Sequence, residues 1–127
     1  MYSIVAEKPG DISVLQKKSI DFSEPKSNEV LIKNRAIGVN FIDIYFRAGL
    51  YPWPVDTDLV LGSEGAGEVE AVGPDVKNFK IGDRVAYAQP NNAYSTHRII
   101  SEDLVVSIPD GISYDPVSYT HLTLPTT

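Results

Sequence analysis

Apolar and polar residues alternate along this chain in short bursts, each closed by a glycine- or proline-containing turn. Tyr2 to Val5 is a brief β-prone run that stops at Glu7-Lys8-Pro9-Gly10-Asp11, and Val14 to Lys17 is a second. Glu29 to Val39 is the longest strand-like segment. Val30 and Ile32 alternate clearly there, and the pattern blurs after Ala36, which predicts a bulge or bend near Gly38. Gly65 to Val72 sets Val69 and Ala71 against Glu68 and Glu70. Arg84 to Ala88, Ala93 to Ile100 and Leu104 to Ser107 complete the strands, with turns at Gly73-Pro74-Asp75 and Gly82-Asp83. Such spacing predicts a small, partly open β-barrel or sandwich.

One segment breaks the alternation. Asn40 is a good helix N-cap, Asp43 places a carboxylate in the first turn, Phe41 and Tyr45 share a face, and Gly49 supplies a stop. These signals predict a helix over Phe41 to Ala48. Leu50 to Leu61, interrupted by Pro52 and Pro54, reads as a loop exposing Tyr51 and Trp53.

Composition narrows the classes of chemistry. The 127 residues are 43% hydrophobic and 22% charged, as expected of one globular domain. A net charge of −6 disfavours nucleic acid and anionic membranes as partners. With no cysteine there is no disulfide, thiolate zinc site or cysteine nucleophile, and His97 and His121 alone cannot build a multi-histidine metal site. No apolar run approaches the ~20 residues of a membrane span. The N-terminus has no signal-peptide pattern, so a cytoplasmic location is expected.

The glycine cluster Gly62-Ser-Glu-Gly65-Ala-Gly67 looks like a phosphate loop. It lacks the third glycine of G-x-G-x-x-G and precedes a strand instead of a helix, so it reads as close backbone packing. Glu64 within it is either solvated or paired with a cation, or else a buried carboxylate beside a cleft. Ser63 has no adjacent base, and His97 reads as a packing or surface histidine. Asn40, Tyr45 and Tyr51 form the more suggestive set. An amide can hold a ribose hydroxyl or a carboxamide, and phenols can line a flat pocket and donate to a carbonyl. The same three residues could equally cap the helix and pack.

Ala36-Ile-Gly38-Val-Asn40-Phe-Ile-Asp43, Tyr45, Arg47-Ala-Gly49-Leu-Tyr51-Pro52, Gly62-Ser-Glu64-Gly-Ala-Gly67, Gly82-Asp83-Arg84-Val85 and Tyr94-Ser95 together resemble the zeta-crystallin-like quinone oxidoreductases of the medium-chain dehydrogenase/reductase superfamily. The resemblance implies a mainly β fold with a short helix, the GroES-like partly open β-barrel that forms the catalytic domain of a two-domain reductase. It assigns Met1 to Pro116 to that domain in incomplete form, with the Rossmann domain and the returning chain absent. Zinc alcohol dehydrogenases place a zinc-ligating Cys where this chain has Asn40 and a His where it has Ser63, so zinc-independent chemistry is implied, with no metal site. The implied activity is NADPH-dependent hydride transfer to a quinone or enone. Asn40 and Tyr45 would face the nicotinamide end of NADPH, and Tyr45 and Tyr51 would serve the acceptor, in a parent protein that is a candidate homodimer. The chain alone is expected to be inactive. A stand-alone GroES-like binding or assembly module is the alternative. Val117 to Thr127, with no charged side chain, resembles a translated sequencing adapter and is expected to be a non-native tail in which His121 carries no function.

Overall fold

A computed structural model describes residues 1–114. In chain order its strands are β1 (Tyr2–Ala6), β2 (Leu15–Ser19), β3 (Glu29–Gly38), β4 (Leu59–Val60), β5 (Glu64–Val72), β6 (Arg84–Ala88), β7 (His97–Ser101) and β8 (Val105–Ser107). The helix α1 (Phe41–Ala48) lies between β3 and β4, and short 3-10 turns occupy Ile12–Val14 and Glu102–Leu104. Every pairing is antiparallel. β2-β1-β4 form a three-stranded sheet and β7-β3-β5-β6-β8 a five-stranded one. The larger sheet ends at β7 and β8 without closing on itself, which is the partly open arrangement expected from strand spacing.

The alternation in β3 and β5 explains the core. Val30, Ile32, Val69, Val85, Tyr87, Ala93, Ile100 and Val105 form one buried cluster inside the five-stranded sheet. A second cluster of Ala6, Leu59 and Leu61 joins the small sheet to Phe46, Trp53 and Tyr94. The two sheets are stitched by the segment before β7. Ile4 donates its backbone N–H to Tyr94 O at 2.8 Å, Thr96 N–H donates to Tyr2 O at 3.0 Å, and Ser3 and Ser95 form an isolated bridge.

That stitching corrects one expectation. A strand read as Ala93 to Ile100 begins only at His97, because the residues ahead of it give their backbone to Leu61 and Gly62 and to β1. The last strand likewise starts at Val105, with Leu104 closing a 3-10 turn. The irregularity expected near Gly38 falls earlier in β3, as register shifts against β5 between Leu31 and Ile32 and between Asn34 and Ala36. The tail from Val117 to Thr127 lies outside the described residues. Among the described residues, no helix is long and apolar enough to cross a membrane.

The glycine cluster does pack backbone closely. A side chain on Gly67 would strike the Lys33 carbonyl on β3, and one on Gly65 would strike the Tyr87 hydroxyl on β6. Glu64 and Ala66, on the other face, are 1% and 0% exposed, so both faces of this stretch of β5 are covered.

Candidate functional site

The end of β3, the start of α1 and the start of β5 meet at one corner, because Gly38 pairs directly with Glu64. Chain direction changes sharply at Asn40, whose extended backbone (φ −134°, ψ 160°) occupies the N-cap position. The expected helix limits hold: α1 spans Phe41 to Ala48 and Gly49 closes it with a left-handed φ of 84°. Asp43, three residues in, accepts the Asn40 backbone N–H at 3.0 Å.

The Asn40 side chain does more than the capping expected of it. It faces the Asp43 N–H in a capping box, and that N–H bonds the Asn40 backbone carbonyl at 3.1 Å. The amide Nδ2 donates to Glu64 Oε1 at 2.9 Å. Glu64 is 1% exposed and has no cation within reach among the described residues, so neither a solvated nor a cation-paired reading describes it. Its second oxygen, Oε2, is buried without a partner. Burial pushes the Glu64 carboxyl up from the ordinary carboxylate range. The Asn40 hydrogen bond pulls it back, and the Asp43 carboxylate adds to the rise.

Asp43 is itself buried, at 3% exposure, and collects two further donors. Tyr94 OH donates to Oδ2 at 2.7 Å and Ser63 Oγ donates to Oδ1 at 3.3 Å. Burial and the carboxylate that accepts its proton both hold the Tyr94 phenol well above its usual range. Asn40, Asp43, Ser63, Glu64 and Tyr94 thus make one polar cluster drawn from α1, β5 and the stretch before β7. Of these, Tyr94 and the linked roles of Asp43 and Ser63 were not foreseen. The available signal was a carboxylate inside an otherwise small and apolar run, Gly62 to Gly67.

Tyr45 and Tyr51 stand on the outer side of α1. They are 39% and 44% exposed, and their rings meet edge to face with centroids 5.9 Å apart. Phe46 supports Tyr51 at 5.4 Å. The loop carrying Tyr51 is anchored, because Trp53 Nε1 donates to Phe46 O at 2.6 Å and the indole packs in the second cluster. Trp53 is therefore half-buried and not displayed, a correction to the loop's expected character. A groove of about 510 Å³ opens beside Tyr94, walled by Ile37 and Val39 and by Tyr2 and Ile4; Tyr45 and Tyr51 do not line it.

His97 is buried. Its Nε2 lies 2.9 Å from Glu70 Oε2, and its ring packs on Phe22. No group of three or more metal-ligating side chains occurs among the described residues.

Residues 26–110 match the family described as Alcohol dehydrogenase GroES-like domain. The chain is 52% identical over 107 residues to a quinone oxidoreductase of Pseudomonas aeruginosa, covering 84% of this chain and 33% of that protein. It is 43% identical over 116 residues to quinone oxidoreductase 1 of Escherichia coli, covering 91% of this chain and 35% of that protein. A crystal structure of the Escherichia coli quinone oxidoreductase complexed with NADPH superposes with a TM-score of 0.89 at 42% identity, covering 93% of this chain and 36% of that one. The chain spans about a third of the length of the curated relatives it matches.

Proposed function

This chain belongs to the alcohol dehydrogenase GroES-like domain family, and we propose that it serves as the catalytic domain of a zinc-independent, NADPH-dependent reductase of quinones or enones. The observation that carries the reading is the arrangement around α1. A half-buried amide, Asn40, sits at the helix start, and two exposed phenols, Tyr45 and Tyr51, stand ring to ring at the helix and the loop after it. The relatives' names, quinone oxidoreductase in each case, support the substrate class.

The residues present fit the nicotinamide end of such a cofactor. The Asn40 amide keeps hydrogen-bonding capacity beyond its bond to Glu64, and Asn40 is half-exposed, so a carboxamide or ribose hydroxyl has a partner there. The phosphates would find no loop in Gly62 to Gly67, whose backbone enters β5 and is covered on both faces. NADPH would supply the hydride. Asn40 and Tyr45 would hold and orient its nicotinamide, and the Tyr45 and Tyr51 phenols would orient the acceptor and donate to its carbonyl oxygen. No Lewis acid is needed when the acceptor is already electron-poor. Asn40 and Ser63 stand where the zinc enzymes of the wider superfamily carry Cys and His, which supports zinc-free chemistry. The anchored Trp53 loop favours a substrate rim over the mobile docking loop of a binding module. A cytoplasmic, homodimeric parent protein belongs to the same proposal.

The test is acceptor-dependent oxidation of NADPH by the full-length gene product, with 9,10-phenanthrenequinone as acceptor. Turnover should survive a chelator and fall in Asn40→Ala and Tyr45→Phe. The 127-residue chain alone should show none above background. Chelator-sensitive turnover, or a full-length protein that neither binds nor oxidises NADPH, would overturn the reading.

A further inference from the structure

We infer that Glu64 is the positioning residue that decides which way the Asn40 amide faces, making Asn40 a hydrogen-bond acceptor toward an approaching N–H or O–H donor. The inference rests on the reductase reading for the identity of that donor, a nicotinamide carboxamide or ribose hydroxyl. The orientation itself rests on geometry.

An ionised carboxylate offers only lone pairs. Glu64 Oε1 at 2.9 Å from the amide nitrogen therefore commits one Asn40 N–H inward. The carbonyl Oδ1, on the opposite prong of the amide, faces away from Glu64 toward the Asp43 N–H of the capping box and keeps a second lone pair for an incoming donor. Reversing the amide would press Oδ1 against Oε1 with no proton between two acceptors, at a carboxylate already 1% exposed.

Glu64 is in turn fixed by its surroundings. It begins β5, pairs with Gly38 on β3 and with Ala88 on β6, and packs over Gly38, where a Cβ would collide with Oε1. The charged and titratable groups around the pair can be named. Asp43 approaches from α1. Tyr94 reaches that Asp43 from the stretch before β7. Tyr87 on β6 abuts Gly65, next to Glu64. None is a cation, so the Asn40 amide is the one described donor to this carboxylate. A proton on Glu64 would reverse the logic. The carboxylic acid could then donate to Oδ1, and the NH2 group would turn outward as a donor.

The pair can be read directly in the 127-residue chain by NMR, following the Asn40 side-chain NH2 protons and the Glu64 Cδ carbon from about pH 4 to about pH 9. The two signals should move together through one midpoint. In Glu64→Gln, Asn40 should lose that pH dependence. An Asn40 amide that stays fixed through the Glu64 titration overturns the inference, as does one that titrates unchanged in a folded Glu64→Gln. Should that variant fail to fold, the wild-type covariance alone decides. NADPH oxidation by the full-length protein tests the functional reading separately, so either result can fail without the other.

Discussion

The Asn40 amide and the buried Glu64 carboxylate meet at 2.9 Å across 24 residues of sequence, at the corner where β3 hands over to α1 and β5 begins. This contact changes what the helix start should tolerate. Asp and Asn are about equal as N-caps, so capping alone would let Asn40→Asp pass unnoticed. With Glu64 as the partner, the same substitution sets two carboxylates against each other, with Asp43 close by. We expect Asn40→Asp to lose roughly 2 kcal/mol or more, the scale of a broken buried bond plus an unpaired charge. The deficit should be greatest at neutral and alkaline pH and shrink as pH falls and one carboxyl takes up a proton. Urea denaturation at two pH values checks this; a variant as stable as the parent at pH 7 returns Asn40 to a simple cap.

How much of this was legible in the sequence follows from range. The limits of α1 were readable because their causes, Asn40, Asp43 and Gly49, all lie within or beside the helix. The interleaving of Val69 and Ala71 with Glu68 and Glu70 marked β5 for the same local reason. The partners of Asn40 and Asp43 were hidden. Glu64 lies 24 residues from Asn40, and Tyr94 lies 51 residues from Asp43. Only the sheet register, Gly38 opposite Glu64, brings the first pair together. The strand read from Ala93 starts only at His97 because competing partners take the backbone ahead of it: Gly62 and Leu61 accept the Ala93 and Tyr94 N–H groups, and β1 pairs with Tyr94 and Thr96. Alternation within one segment carries no record of such a competitor.

Gly38 should be intolerant of a side chain for a reason that can be isolated. An added Cβ would collide with Glu64 Oε1, Cδ and Cγ together. Gly38→Ala should therefore cost about 1–3 kcal/mol, the usual range for overpacking. In a Glu64→Ala background the obstruction is gone, and the same substitution should cost little. A double-mutant cycle by chemical denaturation measures the coupling, expected at about 1 kcal/mol or more. Additive effects would mean the collision is relieved elsewhere.

Tyr87 gives the fold a specific alkaline limit. It is 1% exposed, donates to Asn34 Oδ1 at 2.7 Å, and lies under the Arg98 guanidinium at 4.5 Å. Burial pushes its phenol up to about 12, against the opposing pull of Arg98 and the Asn34 bond. A pKa raised in the folded state adds stability that is complete below pH 10 and is lost as pH climbs toward 12. For a shift of this size the loss is roughly 2–3 kcal/mol. Stability measured from about pH 8 to about pH 12 should fall steeply only above about pH 10, and Tyr87→Phe should make that step smaller, the raised Tyr94 phenol supplying the remainder. A Phe variant with the same alkaline slope would assign the transition to another group.

The position of Tyr51 should depend on Trp53. The indole N–H reaches the Phe46 carbonyl in the last turn of α1 at 2.6 Å, as a second donor beside the Gly49 N–H of the C-cap at 3.1 Å. The ring also joins Ala6, Leu59 and Leu61, so the loop is tied down at one residue by both a hydrogen bond and packing. Tyr51, two residues earlier, is held against Phe46 and Tyr45 by ring contacts alone. Trp53→Phe keeps most of the apolar area and removes the donor. It should cost about 1 kcal/mol, the scale of one hydrogen bond, because the Phe46 carbonyl keeps the Gly49 N–H. Its local effect should be larger than its global one. Cleavage within residues 50–58 by a non-specific protease should accelerate at temperatures where the β-sheets remain intact, because opening this loop breaks no strand pairing. Tyr51 should lose its cross-peaks to Tyr45 in the same variant. Unchanged cleavage together with retained Tyr45–Tyr51 contacts would show that the aromatic trio holds the loop without Trp53.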